Sequence, residues 1–181
     1  MKTFLKLIAV SSVILMSGSA MAQKPDAVDA VQQKRCTTTT VYFKSAPMPT
    51  TPSPQLAAFL APLHPVGYGV DQPNHAFGDS FRVCGCETCG GKIEIGVRKT
   101  SAGDNPLNDD YYVGLAPFGP RVVDGRVWSA GDGASKTLTV NLPAAALNKV
   151  LCSEKGCPLW LDVYVEDDTV VDWIKLTILH P

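Results

Sequence analysis

Three cysteines fall within six residues, Cys84-Gly85-Cys86-Glu87-Thr88-Cys89, and the chain carries six in all. Thiols at this density have three chemistries open to them. They can oxidise to disulfides. They can hold a soft ion: Cys-x-Cys-x-x-Cys offers three thiolates in a short arc for Zn(II) or Cu(I), with Cys36, His64 or His75 as a fourth ligand. Or Cys86-Glu87-Thr88-Cys89 can exchange thiol for disulfide. A redox pair of that spacing is usually activated by a helix N-terminus, whereas Gly90-Gly91 and an alternating strand pattern follow here. The expectation is therefore stapling. Cys152 and Cys157 would close a small loop, and Cys36 would bridge to one member of the 84–89 trio while the other two pair. The sequence does not choose among the pairings that six thiols admit.

The compartment decides between these chemistries, and the N-terminus speaks to it. Lys2 and Lys6 precede an apolar run through Met16, and small residues then lead to Ala20-Met21-Ala22. A basic start, a short apolar stretch and an A-x-A site are the anatomy of a secretory signal peptide over residues 1–22. Export to the periplasm or the medium would oxidise the cysteines. Without Lys2 and Lys6 the formal charge of −1 becomes −3. A mildly acidic chain with no basic run gives no electrostatic case for nucleic acid, and no later stretch reads as a membrane span.

Acidic residues gather in two loops. Asp109 and Asp110 follow Asn108, and Asp167 and Asp168 follow Glu166. Brought together at one end of a sheet structure, these oxygens could hold Ca²⁺, which takes about six to eight such ligands, although the spacing fits no EF-hand. The chain has three histidines, and of these His64 and His75 share one irregular stretch. No Gly-x-Ser-x-Gly occurs, so a Ser–His–acid hydrolase has no motif behind it. Aromatic residues offer a different chemistry. Leu159, Leu161, Val163 and Val165 share one face of a strand, which puts Trp160 and Tyr164 on the other. Ile174, Leu176 and Ile178 turn Trp173 away from the core in the same manner. Outward aromatics of this kind stack on sugars or anchor a partner protein.

Positioning such residues requires sheets. Residues 36–43 carry four threonines and three bulky residues, a strand composition. Residues 46–54 hold four prolines and read as an extended connector, after which Pro54 could open a helical turn or two. From Leu63 to Gly78 the Gly, Pro, Asn and His content predicts a long loop. Alternation then marks strands over 92–98, 111–115, 137–142, 159–165 and 170–179. Asp124-Gly125, between β-formers, predicts a two-residue hairpin turn. Pro143 followed by Ala144-Ala145-Ala146-Leu147 predicts one short helix over 144–151.

The expected fold is all-β: an antiparallel, disulfide-stabilised sandwich whose general plan resembles exported jelly-roll or C2-like domains. Residues 55–181 would form the sandwich, joined by the strand that follows Cys36, with 23–54 as an N-terminal segment. The expected function is a secreted or periplasmic binding or structural module, not an enzyme, that recognises a protein or a carbohydrate. The competing expectation is a cysteine-based metal-binding or thiol-redox protein of the cell envelope.

Overall fold

Alternating strands bury one face each, and two such sheets laid face to face bury both apolar faces at once. The computed structural model describes residues 36–85, 87–101, 106–115, 119–153, 159–166 and 168–181, so the proposed signal segment lies outside the described residues. Eight strands form two four-stranded antiparallel sheets. They are β1 (Thr38–Ser45), β2 (Phe77–Val83), β3 (Gly90–Lys99), β4 (Asp110–Gly114), β5 (Arg121–Arg126), β6 (Ser135–Leu142), β7 (Leu159–Val165) and β8 (Thr169–His180). One sheet has the order β1-β8-β3-β6 and the other β2-β7-β4-β5. Strand one therefore pairs with eight, two with seven, three with six and four with five. This nested pairing is the topology of a jelly roll.

The inner faces follow the predicted phase. On β7, Leu159, Leu161, Val163 and Val165 are buried opposite Val83, Phe81, Asp79 and Phe77 of β2. Ile93 and Ile95 of β3 face Leu176 and Ile174 of β8 in the other sheet. Each such apolar side chain contributes about 1.5–3 kcal/mol through removal from water.

Two helices lie on the crossings between the sheets. Helix α1 (Pro54–Leu60) lies between β1 and β2, and α2 (Ala144–Leu151) between β6 and β7. Ser53 caps α1 by accepting from the Leu56 N–H at 3.1 Å. The buried residues of α2, Leu147, Val150 and Leu151, belong to the main core. Those of α1, Leu56 and Leu60, form a separate cluster with Ala76 and Tyr112.

The cysteine-rich turn ties three elements together. Cys89 is disulfide-bonded to Cys36 immediately before β1. Its N–H also donates to the Leu179 carbonyl of β8 at 2.7 Å. Thr88 docks on α2 through Asn148, whose Oδ1 accepts from the Thr88 N–H and whose Nδ2 donates to the Thr88 carbonyl. Gly90 takes a φ of +100° here, and a Cβ would stand 2.8 Å from the Leu142 carbonyl oxygen. Cys84 and Cys152 are likewise disulfide-bonded. Cys86 and Cys157 lie outside the described residues.

The Asp124-Gly125 expectation is overturned. Both residues lie inside β5, paired with Tyr112 and Tyr111. A Cβ on Gly125 would meet the Tyr111 ring at 3.2 Å, so close packing by an aromatic accounts for the glycine. Strand β2 also begins earlier than the loop-like composition of 63–78 suggests, at Phe77. Among the described residues no helix is long and apolar enough to cross a membrane.

Candidate functional site

Strand β7 turns Trp160, Asp162 and Tyr164 to the outside of its sheet. Register sets them beside Arg82, Ser80 and Gly78 of β2, in that order. The three outward positions then meet different fates. Helix α1 roofs the Tyr164 end: a Cβ on Gly78 would stand 2.4 Å from Leu60 Cδ1, and the Phe59 ring meets Tyr164 edge-on at 5.4 Å. Tyr164 is thus committed to packing under the helix. Trp160 lies beyond that roof, half-buried, with the Arg82 guanidinium 5.4 Å from its ring centroid. A cation over an indole face is attracted by the ring quadrupole and holds that face in place.

Two clefts meet at Trp160. The first, about 510 Å³, opens between the edge strands β1 and β2. Tyr42, Phe43, Lys44, Phe81 and Arg82 line it with Trp160. The second, about 350 Å³, lies on the outer face of the β2-β7-β4-β5 sheet. Asp162 and Trp160 border it, together with Ser53, Gln55, Ser153 and Pro120. The first is largely aromatic with two cations in its lining, part-buried Lys44 and exposed Arg82. The second combines one indole with a carboxylate, an amide and two hydroxyls. Both volumes fall in the range of small-molecule sites.

A buried hydrogen-bonded chain fixes the shape between them. Asp79 is fully buried and accepts from Lys44 Nζ at 2.8 Å, the Thr51 N–H at 2.7 Å, the Tyr68 hydroxyl at 2.7 Å and the Ser80 N–H at 2.8 Å. Burial and then the hydrogen bond to Asp79 hold the Tyr68 phenol far above its usual range. The Ser80 hydroxyl accepts from the Ser53 N–H at 2.7 Å and donates to Asp162 at 2.5 Å. Ser53 donates its own hydroxyl to the other Asp162 oxygen at 3.0 Å. Capping α1 and fixing a cleft carboxylate are therefore one residue's work. Tyr112, whose hydroxyl donates to the Leu115 carbonyl, is pushed up to about 12 by burial and then by the nearby Asp162 charge.

Trp173 occupies the opposite sheet. It lies on β8 outside the β1-β8-β3-β6 sheet and stacks on Phe43, with centroids 6.1 Å apart and planes 29° apart. The three aromatics singled out by their phase thus separate: Trp160 in a double cleft, Tyr164 beneath α1, Trp173 across the sandwich.

The two acidic loops do approach one another. Buried Asp109 accepts from the Asp168 N–H at 3.2 Å and the Thr169 hydroxyl at 2.6 Å. Asp168 accepts from the Asn74 N–H at 3.2 Å, and Asp110 pairs with Arg126 at 3.2 Å. Asp167 lies outside the described residues. These carboxylates serve as acceptors for backbone, hydroxyl and guanidinium donors. Among the described residues no group of three or more His, Cys, Asp or Glu could hold a metal ion. His64 and His75 come together with ring centroids 5.9 Å apart, and His75 Nδ1 lies 2.7 Å from the Pro73 carbonyl.

Reasoning from sequence picks out Trp160 but passes over Arg82, Ser53, Ser80, Asp79 and Asp162. One signal was present. Asp162 interrupts Leu-Trp-Leu-Asp-Val-Tyr-Val between two aromatics on its own face. No family model matches the chain, and comparison with curated proteins and with solved structures finds no match, so geometry and chemistry carry the functional argument.

Proposed function

We propose that this chain is an exported, non-enzymatic binding module that takes a carbohydrate at the paired clefts around Trp160. The observation that carries the reading is the shared wall: one indole borders both an aromatic cleft and a cleft floored by a carboxylate. A sugar presents an apolar ring face and a rim of hydroxyls. An aromatic platform beside acceptors and amides matches both. Asp162 is almost fully buried and held by two serine hydroxyls, so the wall it fixes is in place before a ligand arrives. Export is supported by the signal-like N-terminus and by the Cys36–Cys89 disulfide.

The test is calorimetric titration with a panel of soluble oligosaccharides. Trp160→Ala abolishes binding while the thermal midpoint moves little, and Asp162→Asn weakens it. Binding that survives Trp160→Ala removes this site. Capture of a polypeptide with no oligosaccharide bound identifies a protein-recognition module instead. Intact mass with and without reductant addresses the cysteine-based alternative: all six thiols oxidised and no metal bound support the binding module.

A further inference from the structure

Phe43 belongs to two arrangements at once. It lines the first cleft together with Trp160, which belongs to the opposite sheet, and it stacks on Trp173 of β8, the neighbouring strand in its own sheet. It is 54% exposed, unusual for a phenylalanine in an ordered strand. Trp173 in turn borders a third cleft of about 320 Å³, with Gly96, Ser135, Lys136, Thr137 and Asp172. Gly96 shapes that cleft: a Cβ there would stand 2.1 Å from the Trp173 Nε1, so only glycine lets the indole lie down against β3. The charges at this cleft are already matched, Asp172 by Arg98 at 3.2 Å and Lys136 by Asp132 at 2.5 Å. What remains is one indole in a mainly polar cleft edged by the Ser135 and Thr137 hydroxyls, a surface that suits a neutral polyol better than an ion.

The three clefts are therefore linked in series. The second and first share Trp160, and the first and third are joined by the Phe43–Trp173 stack. The path starts outside one sheet, passes over the open edge where β1 and β2 border each other, and ends outside the other sheet. We infer that the ligand is a polymeric, neutral glycan whose chain crosses this edge from Trp160 past Phe43 to Trp173. The inference rests on the reading that the Trp160 clefts bind carbohydrate, and it adds the ligand's length. A short sugar fills one cleft, whereas a chain engages successive platforms at the cost of a single association.

The experiment compares a disaccharide with a hexasaccharide in each of three series: cello-, xylo- and chito-oligosaccharides. In the series that binds, the hexasaccharide is tighter than the disaccharide by at least about tenfold. Trp173→Ala erases most of that gain and leaves disaccharide affinity unchanged, Trp173→Phe retains part of it, and Phe43→Ala, which alters the first cleft as well, lowers affinity for both lengths. Trp160→Ala abolishes binding of both lengths. Equal affinity for both lengths, or a length gain untouched by Trp173→Ala, overturns the extended track while the Trp160 site stands. Failure of every series to bind, or indifference to Trp160→Ala, overturns the carbohydrate reading and this inference with it. Thermal midpoints of all variants show that a lost gain is not a lost fold.

Discussion

The chain crosses between its two sheets with a helix at β1–β2 and again at β6–β7, and beyond the small apolar cluster of Leu56 and Leu60 under α1 the two crossings are closed in different ways. At β6–β7, α2 inserts Leu147, Val150 and Leu151 into the main core. At β1–β2, the strap after Ser45 is held by Lys44, Thr51, Ser53 and Tyr68 converging on Asp79, Ser80 and Asp162. Hydrocarbon packing is non-directional and fills the space it closes. Hydrogen bonds fix distances and angles, so a polar closure can hold open a gap of set shape. The first two clefts lie on or beside the polar crossing's edge strands, and the third runs across the other sheet from β8 to β6.

This contrast can be broken by experiment. Asp79→Ala should have the largest effect, about 3–5 kcal/mol in denaturant unfolding, because the Tyr68 hydroxyl and the Thr51 and Ser80 N–H groups would lose their acceptor and Lys44 its carboxylate partner. It should also weaken ligand capture. A cost below about 1 kcal/mol would show that the polar crossing is not structural. Leu147→Ala should cost about 2–5 kcal/mol through transfer and cavity terms, with capture unchanged. Replacing Cys36 and Cys89 together by serine frees the start of β1. A sequence separation of 53 gives an upper value of about 4 kcal/mol, read as a shift in midpoint under non-reducing conditions.

Smaller effects follow from titration. The Tyr68 and Tyr112 phenols are both raised in the folded state, chiefly by burial. Their stabilisation is complete below the ordinary tyrosine value of 10.0 and fades as pH rises through about 12 for Tyr112, and higher for Tyr68. Tyr42 and Tyr111 are raised by burial as well, so tyrosinate absorbance and thermal midpoint measured together should show four late phenols with Tyr68 the last, and Tyr68→Phe should remove that one. Asp71 is held below its ordinary 3.8 by the Ser101 N–H and by Arg98. Its contribution is present above that value and disappears as pH falls through the lowered one, the smallest shift expected here.

How far the sequence foretold this structure varied with the range of the interaction. Period-two alternation carries β7, and Pro143 ahead of strong helix formers carries α2, because both signals lie within one element. Asp124-Gly125 misled because a two-residue motif cannot report that the Tyr111 ring stands above it. Trp160 and Tyr164 are equivalent by phase, and only α1, arriving from a hundred residues away in sequence, separates them. Asp79 was hidden for a further reason. Gly78-Asp79-Ser80 has the composition of a turn, and its place inside a strand depends on donors from Lys44, Thr51 and Tyr68 that no local pattern announces.

Strand β1 is secured at both of its ends. It is an edge strand of threonines with Val41 and Phe43 exposed, the composition most prone to slide along its neighbour or to recruit a stranger. A slip of two residues would move it by about 7 Å. Cys36 at one end is welded to Cys89, and Lys44 at the other is moored to Asp79. A displacement of that size would tear the second anchorage and is barred by the first. The strand is pinned like a ruler at both ends, and the phenylalanine between the pins keeps its station over the neighbouring indole.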